Sequence, residues 1–122
     1  MVVLVVDSSV LIIERLQHIL SEATKATAVY GAVSYKDALR FLKKIKIDVV
    51  LLDSGLPGNT ALNLLNEINA AGIKTTVIML TYSIDHYLEE KYKLLGAELF
   101  FDKYHDFEKL PSVINNITAY KK

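Results

Sequence analysis

The sequence predicts an α/β domain in which one parallel sheet carries helices on both faces. Short runs with apolar interiors at Val2 to Val6, Asp48 to Asp53 and Thr75 to Leu80 lack the alternation of a half-wet strand, so they read as strands buried on both sides. Stretches of helical period separate them, and strands and helices alternate five times with short connections. A single domain over 1–122 follows, since 122 residues suffice for one core.

The elements follow in order. Asp7-Ser8-Ser9 stops the first run, and Ser8 or Ser9 can cap a helix over about 9–22, with Val10, Ile13, Leu16, Gln17 and Leu20 on one stripe. Thr27 to Ala32 forms a short second strand. Ser34 caps the second helix, whose apolar stripe is Ala38, Leu39, Leu42 and Ile45. The third strand ends in Asp53 and is followed by the loop Ser54-Gly55-Leu56-Pro57-Gly58-Asn59. Leu62, Leu65, Ile68 and Asn69 mark a third helix that stops before Gly72, and the fourth strand ends at Thr81. Ser83 can cap a fourth helix running through Leu95, with Gly96 closing it; Glu98 to Phe101 is the fifth strand, ending at Asp102-Lys103. Asp106 can cap a last helix carrying Leu110, Val113, Ile114, Ile117 and Tyr120. Pro111 then favours a regular start near Leu110 or a distorted first turn.

Composition narrows the function classes. Fourteen basic and fourteen acidic residues cancel and are interspersed, which is not the footprint of a nucleic-acid or membrane-surface binder. With no cysteine, thiolate catalysis, disulfides and cysteine-ligated metals are excluded. Asp7 interrupts the first apolar run long before a leader or membrane span would be complete, and no basic segment precedes it. A cytoplasmic setting is the expectation. His18, His86 and His105 have no metal-ligand spacing and read as surface residues.

Ligands of such sheets sit outside the carboxyl ends of the strands. Asp7, Asp53, Thr81 and Lys103 all lie within a residue of such an end. Any one alone is an ordinary cap, turn or surface residue. Together they make a chemistry: two carboxylates become compatible when a hard cation such as Mg²⁺ lies between them, with the Gly55 carbonyl as a further ligand. A carboxylate so placed can attack phosphorus, leaving an ammonium and a hydroxyl to hold the equatorial oxygens. Asp53 is then the nucleophile, Lys103 the ammonium and Thr81 the hydroxyl.

Val3-Leu4-Val5-Val6-Asp7-Ser8, Val49 through Gly58, Val77-Ile78-Met79-Leu80-Thr81 and Gly96 through Lys103 resemble, in order and spacing, the four landmark segments of bacterial response-regulator receiver domains. The resemblance spans the chain. It implies a three-layer, doubly wound, flavodoxin-like (βα)₅ fold with strand order 2-1-3-4-5, and phosphorylation of Asp53 by a sensor histidine kinase or histidine phosphotransfer protein with Mg²⁺. It also implies catalysis of no more than the domain's own phosphorylation and dephosphorylation. Asp7, Asp53 and Gly55 fall on the metal positions, Thr81 and Phe100 on the switch positions. Tyr87, Tyr92, Phe100 and Tyr104 fall on the face of helix four, strand five and helix five, a surface for output or homodimerisation. Tyr82 lies near that face too.

The chain departs from the family's pattern in four places. Ser8 replaces a second acid, Phe100 carries no hydroxyl, Asn59-Thr60-Ala61 stands where acidic and glycine residues are usual, and Tyr104 replaces a proline that normally follows a cis bond. A cis bond before a non-proline residue costs about 2.5–4 kcal/mol, which favours a trans bond and a displaced Lys103 ammonium. These departures motivate an alternative, a degenerate receiver acting through phosphorylation-independent protein contacts. A flavin binder on the same layers is disfavoured, because the first loop bears an acid and no glycine where a cofactor phosphate wants free amides.

Overall fold

The computed structural model describes residues 1–82, 85–103 and 105–120, with the side chains of 118–120 left aside; Ser83 and Tyr104, both named above, lie outside the described residues. Strand β1 is Val2–Val6, followed by α1, Val10–Ala23. Then come β2 (Ala28–Ala32), α2 (Tyr35–Lys44), β3 (Val49–Asp53) and α3 (Thr60–Ala70). The chain continues through β4 (Thr76–Thr81), α4 (His86–Leu94), β5 (Ala97–Asp102) and α5 (Leu110–Tyr120). The five strands form one parallel sheet in the order β2-β1-β3-β4-β5, the flavodoxin-like arrangement.

Successive side chains of a strand point to opposite faces, and the two cores separate on that rule. Leu4, Val6, Val50, Leu52, Val77 and Met79 pack with residues of α2, α3 and α4 on one face. Val3, Val5, Val49, Leu51, Ile78 and Leu80 pack with residues of α1 and α5 on the other.

The helix caps explain several boundaries. Ser9 Oγ accepts from Ile12 N at 3.3 Å and Ser34 Oγ from Asp37 N at 3.2 Å, each satisfying a donor that a helix start leaves open. Two expectations change. Val10 is 55% exposed rather than part of the inward stripe of α1. Helix α4 begins later than a Ser83 cap would place it, because Asp85 is its cap: Asp85 Oδ1 accepts from Tyr87 N at 2.9 Å and Leu88 N at 3.4 Å. Before α5, Phe107–Lys109 forms a 3₁₀ turn. Pro111 therefore occupies the first turn of α5, where an amide has no intrahelical partner to lose.

Gly31 in β2 meets α1 at close range. A Cβ at this position would run into the Ile13 Cγ2 methyl, so the strand and helix approach only because the residue has no side chain. Gly31→Ala is expected to destabilise the fold by about 1–3 kcal/mol in urea denaturation, the usual cost of overpacking a filled core.

Candidate functional site

The parallel register brings the chemistry together. Val6 pairs with Leu52, so Asp7 and Asp53, each one residue further on, leave adjacent strands at the same level. Asp53 pairs with Leu80, one residue before Thr81, and Thr81 pairs with Asp102, one residue before Lys103. All four expected side chains converge at the carboxyl edge. They are also buried: Asp7 is 1% exposed, Asp53 3%, Lys103 5% and Thr81 7%.

Lys103 ties the acids together. Its Nζ donates to Asp7 Oδ2 at 2.6 Å and lies 3.3 Å from Asp53 Oδ1. Backbone amides complete the frame, Ser9 N donating to Asp7 Oδ1 at 2.9 Å and Gly55 N to Asp53 Oδ1 at 2.9 Å. Asp53 Oδ2 has no hydrogen-bond partner among the described residues, and neither has the buried Thr81 Oγ1. An oxygen acceptor and a hydroxyl thus remain available to something that enters.

The electrostatics match the geometry. Burial pushes the Asp53 carboxyl above its usual range, against the Gly55 amide, and the Asp7 charge pushes the same way while Lys103 opposes. Burial alone would lower Lys103, yet the hydrogen bond to Asp7 and the charges of both acids hold its ammonium above the ordinary lysine value. The cluster carries two negative charges against one positive, so it retains a deficit of positive charge.

Two aromatic residues join the site in ways the sequence did not reveal. The ring of Tyr82 covers Lys103, with Nζ 4.5 Å from its centroid, a cation–π distance. Tyr92, expected on an outward face, is buried at 6%. Its ring lines a small cavity of about 30 Å³ together with Ser54, Thr81, Asp85, Leu88, Glu89 and Phe100. Burial, and then the charge of Asp53, raise the Tyr92 phenol above the ordinary tyrosine range. Adjacency to Thr81 was the available signal for Tyr82, whereas no local signal separated Tyr92 from Tyr87 and Leu88.

The other expected positions divide. Tyr87 is 76% exposed and Phe100 half-buried, while Ser8 is exposed beside Asp7. The Lys103 ammonium is not displaced from the acids, although the bond to Tyr104 itself lies outside the described residues. Among the described residues no third acid, histidine or cysteine joins Asp7 and Asp53 as a metal-ligand group, because Ser8 stands where one would be.

The family model for the response regulator receiver domain matches residues 3–115. The chain belongs to that family. The receiver is 31% identical over 107 residues to the transcriptional regulatory protein DltR of Streptococcus agalactiae, covering 88% of this chain and 47% of that protein. It is 27% identical over 120 residues to the transcriptional regulatory protein MalR of Bacillus subtilis, covering 98% of the chain and 51% of that protein. The receiver thus spans about half the length of these relatives. The receiver domain of the Francisella response regulator 1452 superposes with a TM-score of 0.88 at 21% identity, over 99% of this chain and 98% of that one, which shows the shared fold. No helix among the described residues is long and apolar enough to cross a membrane.

Because burial and Asp7 hold Asp53 above its unfolded value, the folded receiver binds more protons than the unfolded chain as pH falls through the carboxylate range. Ionising Asp53 therefore costs folded stability as pH rises through its folded pKa. Asp53→Asn removes that cost, so thermal melts should show D53N with the higher Tm at pH 7 and the difference shrinking on acidification below the ordinary aspartate pKa.

Proposed function

We propose that this receiver accepts a phosphoryl group on Asp53 and transmits the event through protein contacts. The observation that carries the reading is Lys103 placed between two buried acids, 2.6 Å from Asp7 and 3.3 Å from Asp53, beside an unpartnered Thr81 hydroxyl. This is what an aspartyl nucleophile needs around it when equatorial phosphoryl oxygens must be held.

In the step itself, Asp53 Oδ2, the unpaired carboxylate oxygen, attacks phosphorus and forms the O–P bond. The P–N bond to a donor phosphohistidine breaks, and its electron pair returns to the imidazole. Lys103 turns from Asp53 Oδ1 toward the new phosphoryl oxygens, and Thr81 Oγ1 donates to another. A sensor histidine kinase or a histidine phosphotransfer protein is the fitting donor.

The donor set accommodates a hard divalent cation such as Mg²⁺: Asp7, Asp53 and the Gly55 carbonyl supply oxygen ligands, and the Ser8 hydroxyl can hold a bound water. When bound, Mg²⁺ supplies the positive charge that the cluster lacks. Ser8 contributes no charge, so affinity for the ion is expected to be lower than with an acid there.

The exposed Tyr87, Leu88 and Leu94 of α4, with Phe100 of β5, form the face proposed for output or for a second copy of the chain. The setting proposed is the cytoplasm, where the phosphodonor is made.

Incubation with acetyl phosphate and Mg²⁺ should add one phosphoryl group by intact-protein mass spectrometry, and D53N should add none. A wild-type chain that stays unmodified under these conditions and under a phosphorylated kinase would refute the reading. Ser8→Asp restores a charged ligand and should tighten Mg²⁺ binding by about tenfold or more, read by calorimetric titration.

A further inference from the structure

Lys103 is held at both ends by one short stretch of chain. Its backbone N–H donates to the Thr81 carbonyl at 2.8 Å. Its ammonium, at the far end of a flexible stem, meets the side chain of the residue after Thr81: Nζ lies 4.5 Å from the centroid of the Tyr82 ring, and the two side chains share a hydrogen bond. The last residue of β4 and the one that follows it therefore hold the lysine that follows β5.

The ammonium needs the second hold. A lysine fixed only at its backbone leaves the head free among rotamers, and an ammonium has three N–H donors to place. Asp7 Oδ2 takes one at 2.6 Å, and Asp53 Oδ1 faces the ammonium at 3.3 Å. Tyr82 accounts for the remaining side. The side chain of Lys103 is 2% exposed and Tyr82 is 48% exposed, so the tyrosine stands between a buried cation and water. The loop beyond is braced separately, with Asp102 N donating to Asp106 Oδ2 at 2.8 Å and Asp106 N to the Asp102 carbonyl at 3.0 Å. Those bonds fix main chain around the lysine and leave its head to the acids and the tyrosine.

We propose that Tyr82 is a positioning residue for Lys103, holding its ammonium over the two carboxylates and closing that side of the site to water. The inference rests on the phosphoacceptor reading for its effect on chemistry, whereas the hold itself exists in the unmodified chain. Under that reading Asp53 is spent as the nucleophile and Asp7 turns to the metal. Tyr82 is then the partner of Lys103 that neither step claims, and it keeps the ammonium aimed while the phosphoryl oxygens arrive. Misplacing a catalytic group by about 1 Å costs about 100-fold in rate. Loss of Tyr82 should cost less, about tenfold, because Asp7 still holds the ammonium in the unmodified chain.

The test uses the full chain labelled with ¹⁵N-lysine, in which Lys103→Arg removes and so assigns one ammonium resonance. In metal-free wild type at pH 7 that signal should be sharp, because an ammonium shielded from water exchanges its protons slowly. Tyr82→Leu keeps an apolar side chain but has neither ring nor phenol oxygen. Its Lys103 signal should shift and exchange several-fold faster, with Y82F, which keeps the covering ring, between the two. With acetyl phosphate, Y82L should be phosphorylated about tenfold more slowly while the Mg²⁺ concentration for half-maximal rate stays the same, a split that general loosening of the pocket would not produce. An unchanged Lys103 signal in Y82L, an unchanged rate, or a rate loss matched by an equal loss of Mg²⁺ affinity would overturn the inference. If wild type takes no phosphoryl group while its Lys103 signal still responds to Y82L, the phosphoacceptor reading falls and the hold on Lys103 stands.

Discussion

The site is built on a charge imbalance enclosed where water is scarce. Asp7, Asp53 and Lys103 are each almost wholly buried, and two carboxylates face one ammonium. Removing ions from water costs several kcal/mol each, so such a cluster is tolerated only with good geometry and hydrogen bonds on the remaining lone pairs. The Ser9 and Gly55 amides supply those bonds, and each comes from a residue two positions after the acid it serves. The turns that end β1 and β3 thus hold the carboxylates as well as reversing the chain, and the apolar strands behind them hold the turns.

Much of this was legible in the sequence because the central strands are apolar inside and Asp7, Asp53 and Thr81 stand at their ends. A buried parallel strand has no reason to end in Asp, Thr or Lys unless its end is a site or a cap, and four such ends in one sheet are hard to explain as caps. Register made the rest inevitable: pairing Val6 with Leu52 and Asp53 with Leu80 leaves the polar residues nowhere else to go. The interior of α4 was less legible. His86 to Leu94 mixes charged residues with two tyrosines and two leucines, and these do not show which of Tyr87, Leu88 and Tyr92 turns inward. That choice depends on the space above Thr81 and β5, a tertiary fact that local periodicity does not encode. The start of α4 was misplaced for a similar reason, since Ser83 and Asp85 are both good caps and only the path of the chain selects between them.

The tyrosines show how one residue type serves different ends in a small domain. Tyr87 is exposed on α4, Tyr82 lies over the Lys103 ammonium, Tyr30 stacks on Phe41 at 5.1 Å against the α2 face, and Tyr92 is enclosed beside Thr81. An aromatic ring with one polar tip tolerates each of these half-wet or buried settings.

The ammonium and the carboxylate it grips most closely are 96 positions apart, one residue beyond the ends of β5 and β1. Parallel pairing of that span is slow, because the loop must close before the contact repays it. During synthesis a chain released only as far as β4 would hold Asp7 and Asp53 side by side with no cation of its own between them. On the reading proposed above, the phosphoacceptor therefore gains its cationic neighbour only once the fifth strand has joined the sheet.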